Sequence, residues 1–121
     1  MAATRSPHDL LPLTPAVFHI LLALTDQERH GYAIMKEVEA QTNGEMLLRP
    51  GTLYQAIKRM LELGLSEESD ERPDPALDDQ RRRYYKLSGL GRKTAAAEAA
   101  RLQKLVQLAT SKHLPAADPL Y

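Results

Sequence analysis

Three features of this 121-residue chain predict a mainly α fold with a small β-hairpin, organised as a winged helix-turn-helix plus a long C-terminal helix. Residues 52–64 have the spacing of a one-sided helix. Residues 81–87 alternate like a strand, directly after a proline-containing acidic loop. Residues 89–111 carry one apolar stripe at helical spacing. The predicted order is helix, helix, short strand, helix, two-stranded hairpin, long helix. That order assigns residues 1–13 to a flexible arm, 14–87 to the winged helix-turn-helix, 88–112 to the long helix and 113–121 to a loose tail.

The length allows one domain with a helical extension. Apolar residues make up 43% of the chain, but there is no Trp and one Phe, so Leu, Ala, Ile and Met must fill the core. The absence of Cys excludes a disulfide framework and the usual zinc fingers. No apolar run reaches membrane length, and the N-terminus lacks a secretion signal, so the expected location is cytoplasmic. The formal net charge is zero, yet the charges are segregated: residues 67–79 hold seven acids and one base, and residues 80–86 hold four bases and no acid.

Taken in order, the arm offers Leu10, Leu11 and Leu13 to a partner or to the body of the domain. Pro15 after Thr14 starts a helix that runs to about residue 25. Val17, Phe18, Ile20, Leu21, Leu22 and Leu24 leave it little polar surface, so Val17 and Leu21 are candidate subunit contacts as well as core. Residues 26–29 read as a turn, and a second helix follows His30 and Gly31 to about Thr42, closed by Asn43-Gly44. Residues 46–48 can form a brief strand. Pro50-Gly51 then breaks the chain, and Thr52 is placed to help start the 52–64 helix, which ends at Gly64.

That helix gathers Leu53, Ala56, Ile57, Met60 and Leu61 on one side and leaves Thr52, Tyr54, Gln55, Lys58 and Arg59 on the other or on its shoulders. These polar types suit phosphates and base edges, although an ordinary surface helix would look similar. In a winged helix-turn-helix this element enters a major groove and the hairpin reaches along the backbone. Arg81, Arg82 and Arg83 then stand at the base of the wing, where they can neutralise phosphates. A solvated charge cluster is the plain alternative. In the strand, Arg82, Tyr84 and Lys86 face one side and Arg83, Tyr85 and Leu87 the other. Ser88 is a plausible cap for the last helix, whose Ala95, Ala99, Leu102, Leu105, Val106 and Ala109 form the stripe. That helix is roughly 30 Å long. So small a domain cannot bury all of it, so Leu102, Leu105, Val106 and Ala109 are candidate dimerisation residues.

Four segments together resemble the PadR family of bacterial transcriptional regulators: His30-Gly31-Tyr32-Ala33-Ile34, Arg49-Pro50-Gly51-Thr52-Leu53-Tyr54, Leu61-Glu62-Leu63-Gly64-Leu65, and Arg83-Tyr84-Tyr85-Lys86-Leu87-Ser88-Gly89-Leu90-Gly91. The resemblance covers residues 13–112. It implies a winged-helix repressor that binds palindromic operator DNA as a homodimer, with the Gly51 to Tyr54 motif opening the recognition helix and the last helix as the main dimer contact. The single C-terminal helix is similar to that of the compact subgroup. Two features depart from the family pattern. The wing tip at residues 70–79 is acidic and is expected to stay off the DNA backbone, and the C-terminal part is short, one helix rather than the two of larger members. The few aromatics argue against a stacked ligand pocket at the dimer centre.

The same residues have plainer roles open to them. Tyr54 can be a packing residue, Tyr84 and Tyr85 wing and core packing, and Gly51 a turn requirement. His8, His19, His30 and His113 show no metal spacing, and the Asp78-Asp79 pair lacks a scaffold. No catalytic residue, metal or cofactor is assigned. A winged-helix protein-interaction module without DNA binding is the alternative reading, supported by the neutral charge and acidic tip. A small-molecule sensor is a third, with no effector named by the residues.

Overall fold

The computed structural model describes residues 6–69 and 83–115. The acidic loop at 70–79, Arg81, Arg82 and residues 116–121 of the tail lie outside the described residues.

Helix α1 (Pro15–Ala23) begins as its sequence dictates: Thr14 Oγ1 accepts from Val17 N at 3.2 Å, and Pro15 occupies the first position, where no N–H is needed. Strand β1 (Arg29–His30) follows where a plain turn was expected. Two residues are too few to show a period. What holds them is Arg29, whose Nε donates to the Ala23 carbonyl at 2.7 Å and whose guanidinium lies 3.4 Å from both Asp26 and Glu37. Helix α2 (Gly31–Gln41) is capped by the imidazole of His30, which accepts from Ala33 N at 3.2 Å. Residues 46–48 form no strand. Met46 and Leu48 instead pack on the core from an irregular link, and Leu47 is exposed.

Helix α3 (Pro50–Glu62) starts two residues earlier than predicted. Arg49 takes the cap position without a side-chain bond, so Thr52 does not start the helix but stands exposed in its first turn. Leu53, Ile57 and Met60 are buried. Each such side chain contributes about 1.5–3 kcal/mol of apolar burial. The helix closes on Gly64 at φ 76°, with Gly64 N donating to Leu61 O and Leu65 N to Met60 O at 2.8 Å.

Strands β2 (Ser66–Ser69) and β3 (Tyr84–Leu87) pair antiparallel, Ser66 opposite Leu87 and Ser69 opposite Tyr84. β1 joins the other edge of β3, with Arg29 opposite Tyr85, so the expected hairpin is a three-stranded sheet in the order β1-β3-β2. Tyr85 and Leu87 face inward and Lys86 outward, as the alternation predicts.

Helix α4 (Gly89–Ser111) is capped by Ser88, whose Oγ accepts from Gly91 N at 2.9 Å. Ser88 also donates from N to Leu65 O at 3.1 Å and from Oγ to Gly64 O. A Cβ at Gly91 would fall on the Leu65 carbonyl oxygen, so only glycine lets α4 sit this close to the end of α3. Gly91, Thr94, Ala95 and Glu98 are buried, and beyond Glu98 the helix is largely exposed.

Leu10 and Leu13 of the N-terminal segment take one of the two courses open to them, the body of the domain. Residues 6–13 are not a free arm. Ser6 caps a 3-10 turn at Pro7–Leu10, Leu10 and Leu13 pack on the core, and Leu13 N donates to the Glu98 carboxylate at 2.7 Å. Their apolar side chains explain the docking. The core itself joins Ile20, Leu21, Ile34, Val38, Leu53, Met60 and Leu65.

Candidate nucleic-acid interface

The one-sided pattern of α3 divides the helix cleanly. While Leu53, Ile57 and Met60 anchor one face, Thr52, Tyr54, Gln55, Lys58 and Arg59 are all exposed. Lys58 makes no ion pair with any described residue, whereas Arg59 lies 3.9 Å from Glu62 in a loose, exposed pair. Tyr54 is half exposed, and its ring end leans on the first turn of α2. A Cβ at Gly31 would collide with the Tyr54 hydroxyl, so these two family-like motifs are sterically matched. Tyr54 therefore combines the packing role and the surface role that its sequence left open.

A second aromatic group continues from there toward the sheet. His30 lies 6.5 Å from the ring of Tyr32 and meets Tyr84 of β3 edge-on at 5.3 Å. Lys36 Nζ sits 5.6 Å from the Tyr32 ring centre. The sequence places Tyr32 on the inner face of α2 with Ile34, Met35 and Val38, and Lys36 on the outer one; Lys36 is exposed as expected, but Tyr32, at the first turn of the helix, is exposed too. At the wing root, Arg83 is exposed but pairs with Glu68 at 3.0 Å, diagonally across β2 and β3. Tyr85 belongs to the core. Burial first, and the Glu68 charge second, push its phenol above the ordinary tyrosine range. Arg81 and Arg82 lie outside the described residues.

The proposed dimer residues separate into two sets. Leu102, Leu105 and Val106 are exposed and Ala109 is half buried, all on one face of α4, with exposed Leu108 beside them. Leu21 has no exposed surface within a single chain and is removed from the candidate contacts. An almost wholly apolar helix cannot reveal which side meets the core and which a partner, and here Ile20, Leu21 and Ala23 are core. Val17 packs partly on that core. Leu22 is the leucine of α1 that keeps an exposed side.

A sequence model described as the transcriptional regulator PadR-like family matches residues 20–97, from α1 into α4. The chain belongs to the PadR-like family of transcriptional regulators. The protein is also similar in fold to a PadR family transcription regulator from Clostridium difficile R20291. That match has a TM-score of 0.67 and 22% identity, and covers 84% of this chain and all of that one. A transcriptional regulator from Clostridium thermocellum gives the same TM-score and identity over 83% of this chain and 90% of that one. RosR from H. salinarum is 27% identical, with a TM-score of 0.60 over 91% of this chain and 86% of that one. An uncharacterized protein from Lysinibacillus sphaericus is 29% identical over 73 residues, which span 60% of this chain and 64% of that relative. Within this PadR-like regulator, no described helix is long and apolar enough to cross a membrane.

Proposed function

We propose that this PadR-like regulator is a repressor that binds palindromic operator DNA as a homodimer. The carrying observation is the exposed row Thr52, Gln55, Lys58 and Arg59 on a helix whose opposite face is locked into the core. In this reading α3 enters a major groove, Gln55 and Thr52 meet base edges, and Lys58, Arg59, Tyr54 and the wing-root arginines Arg81, Arg82 and Arg83 meet phosphates. The exposed stripe Leu102, Leu105, Val106 and Ala109 supports pairing of two α4 helices about a two-fold axis. Two reading helices so related suit half-sites about one helical turn apart. The repressor role rests on the family resemblance.

Binding-site selection with purified protein tests this reading. A symmetric site should emerge, Gln55→Ala should change the selected bases, and Lys58→Ala should weaken all sites and lower the salt slope by about 1. The Arg83–Glu68 and Arg59–Glu62 pairs favour the competing reading, a winged-helix protein-interaction module, because they neutralise cations that DNA would otherwise use. Selection that returns no enriched sequence, with no salt-dependent retention of any duplex, would decide for that module.

A further inference from the structure

The Glu98 carboxylate stands out among the described residues. It is 1% exposed and is the last buried residue of α4 before the helix leaves the body. One oxygen accepts from Leu13 N at 2.7 Å and the other from Arg101 Nε. Removing a carboxylate from water is costly, and an apolar side chain of similar size would fill the position without that cost. What a buried carboxylate supplies is direction: it fixes one segment in one register against another. Here the fixed segment is residues 9–14. On its other side, Asp9, Leu10 and Leu13 face Arg59 and Met60 of α3 and the adjoining Leu63 across a groove of about 350 Å³. The segment then runs into Thr14, the cap of α1.

We propose that residues 9–14 are a strap that sets the distance between the two reading helices of a dimer, with Glu98 as the positioning residue that holds it. The proposal rests on the dimeric DNA-binding reading above. The strap faces the reading helix across that groove on one side and is hydrogen-bonded to α4 on the other, at the point where α4 emerges. Residues 99–111 then form a lever of about 20 Å at 1.5 Å per residue. A tilt of about 10° at Glu98 moves the far end of that lever by about 3.5 Å, close to the 3.4 Å rise of one base pair. Small slack in the strap therefore becomes a change of half-site spacing by about one base pair.

The chain has no native cysteine, so a single spin label at Glu62→Cys, exposed at the end of α3, reports the distance between protomers in the free dimer. One narrow distance is expected for the otherwise unchanged protein. Glu98→Gln keeps the shape but turns an amide toward Arg101, and should broaden or shift that distance by about 3.5 Å, the displacement of the lever's far end. Arg101→Leu, at a more exposed position, should act in the same direction. In site selection the same variants should accept spacings one base pair longer or shorter without changing the preferred bases. Loss of stability alone does not produce that result. Unchanged distances and spacings in both variants would overturn the strap. A shifted distance in a protein that binds no duplex would keep the strap and reject the DNA reading. Absence of any distance between protomers would reject the dimer and the strap together.

Discussion

The two halves of α4 are one helix with two fates. Gly91, Thr94, Ala95 and Glu98 occupy the same face as Leu102, Leu105, Val106 and Ala109, spaced three and four residues apart. In the first half that face is buried against the body, and the residues are small or polar, with the Leu65 carbonyl against Gly91 and Leu13 N hydrogen-bonded to Glu98. In the second half it is exposed and the residues are large and apolar. Continuous spacing shows where a helix must be covered. Residue size marks the difference: a close backbone at Gly91 in the first half, exposed apolar surface in the second.

Four substitutions break or sharpen this comparison. Gly91→Ala should cost the most, about 3 kcal/mol, because the new methyl meets the Leu65 carbonyl and α4 must move away. A urea midpoint equal to that of the unchanged protein would refute the close seating. Leu105→Glu, on the other half of the same face, should leave the helical circular dichroism intact and abolish the dimer in sedimentation. A persisting dimer would mean that another surface pairs.

The junction between the halves should respond to acid. The hydrogen bond from Arg101 first, and that from Leu13 second, hold Glu98 below the ordinary glutamate range against the opposing effect of burial. The unfolded chain therefore takes up this proton first. Its contribution to stability is complete above the ordinary glutamate value of about 4.3 and disappears as pH falls through the lower folded value. Unfolding midpoints of the unchanged protein and of Glu98→Gln should accordingly converge as pH drops below about 4.3, and a constant gap across that range would contradict the assignment. The smallest effect belongs to Thr94→Val. Thr94 is fully buried and its hydroxyl has no hydrogen-bond partner among the described residues, so replacing it with an isosteric apolar group should stabilise the fold by up to about 1 kcal/mol. Calorimetric melting would register a loss instead if the hydroxyl held a bond.

Local chemistry made much of this architecture legible in the sequence. Thr14-Pro15 and Ser88 announce the starts of α1 and α4, and the Tyr84 to Leu87 alternation announces its own burial, because each signal lies within a few residues of what it specifies. The strap was illegible for the opposite reason. Leu13 and Glu98 are 85 residues apart, and a glutamate in an alanine-rich helix looks solvated until its partners are known. β1 was missed because two residues show no period, and its register comes from β3. The exposed row on α3 was readable from periodicity, but the lean of Tyr54 onto Gly31 was not, since nothing in either motif names the other.

The contact between Tyr54 and Gly31 also gives the protein an optical property. The chain has no tryptophan, so its near-ultraviolet emission comes from five tyrosines. Tyr32, Tyr54 and Tyr84 stand at or beside the junction of α2, α3 and the sheet, and Tyr85 is inside. Three of the five native fluorophores thus stand where a ligand of α3 would arrive, so the emission of the unlabelled protein is expected to respond to occupancy of that surface.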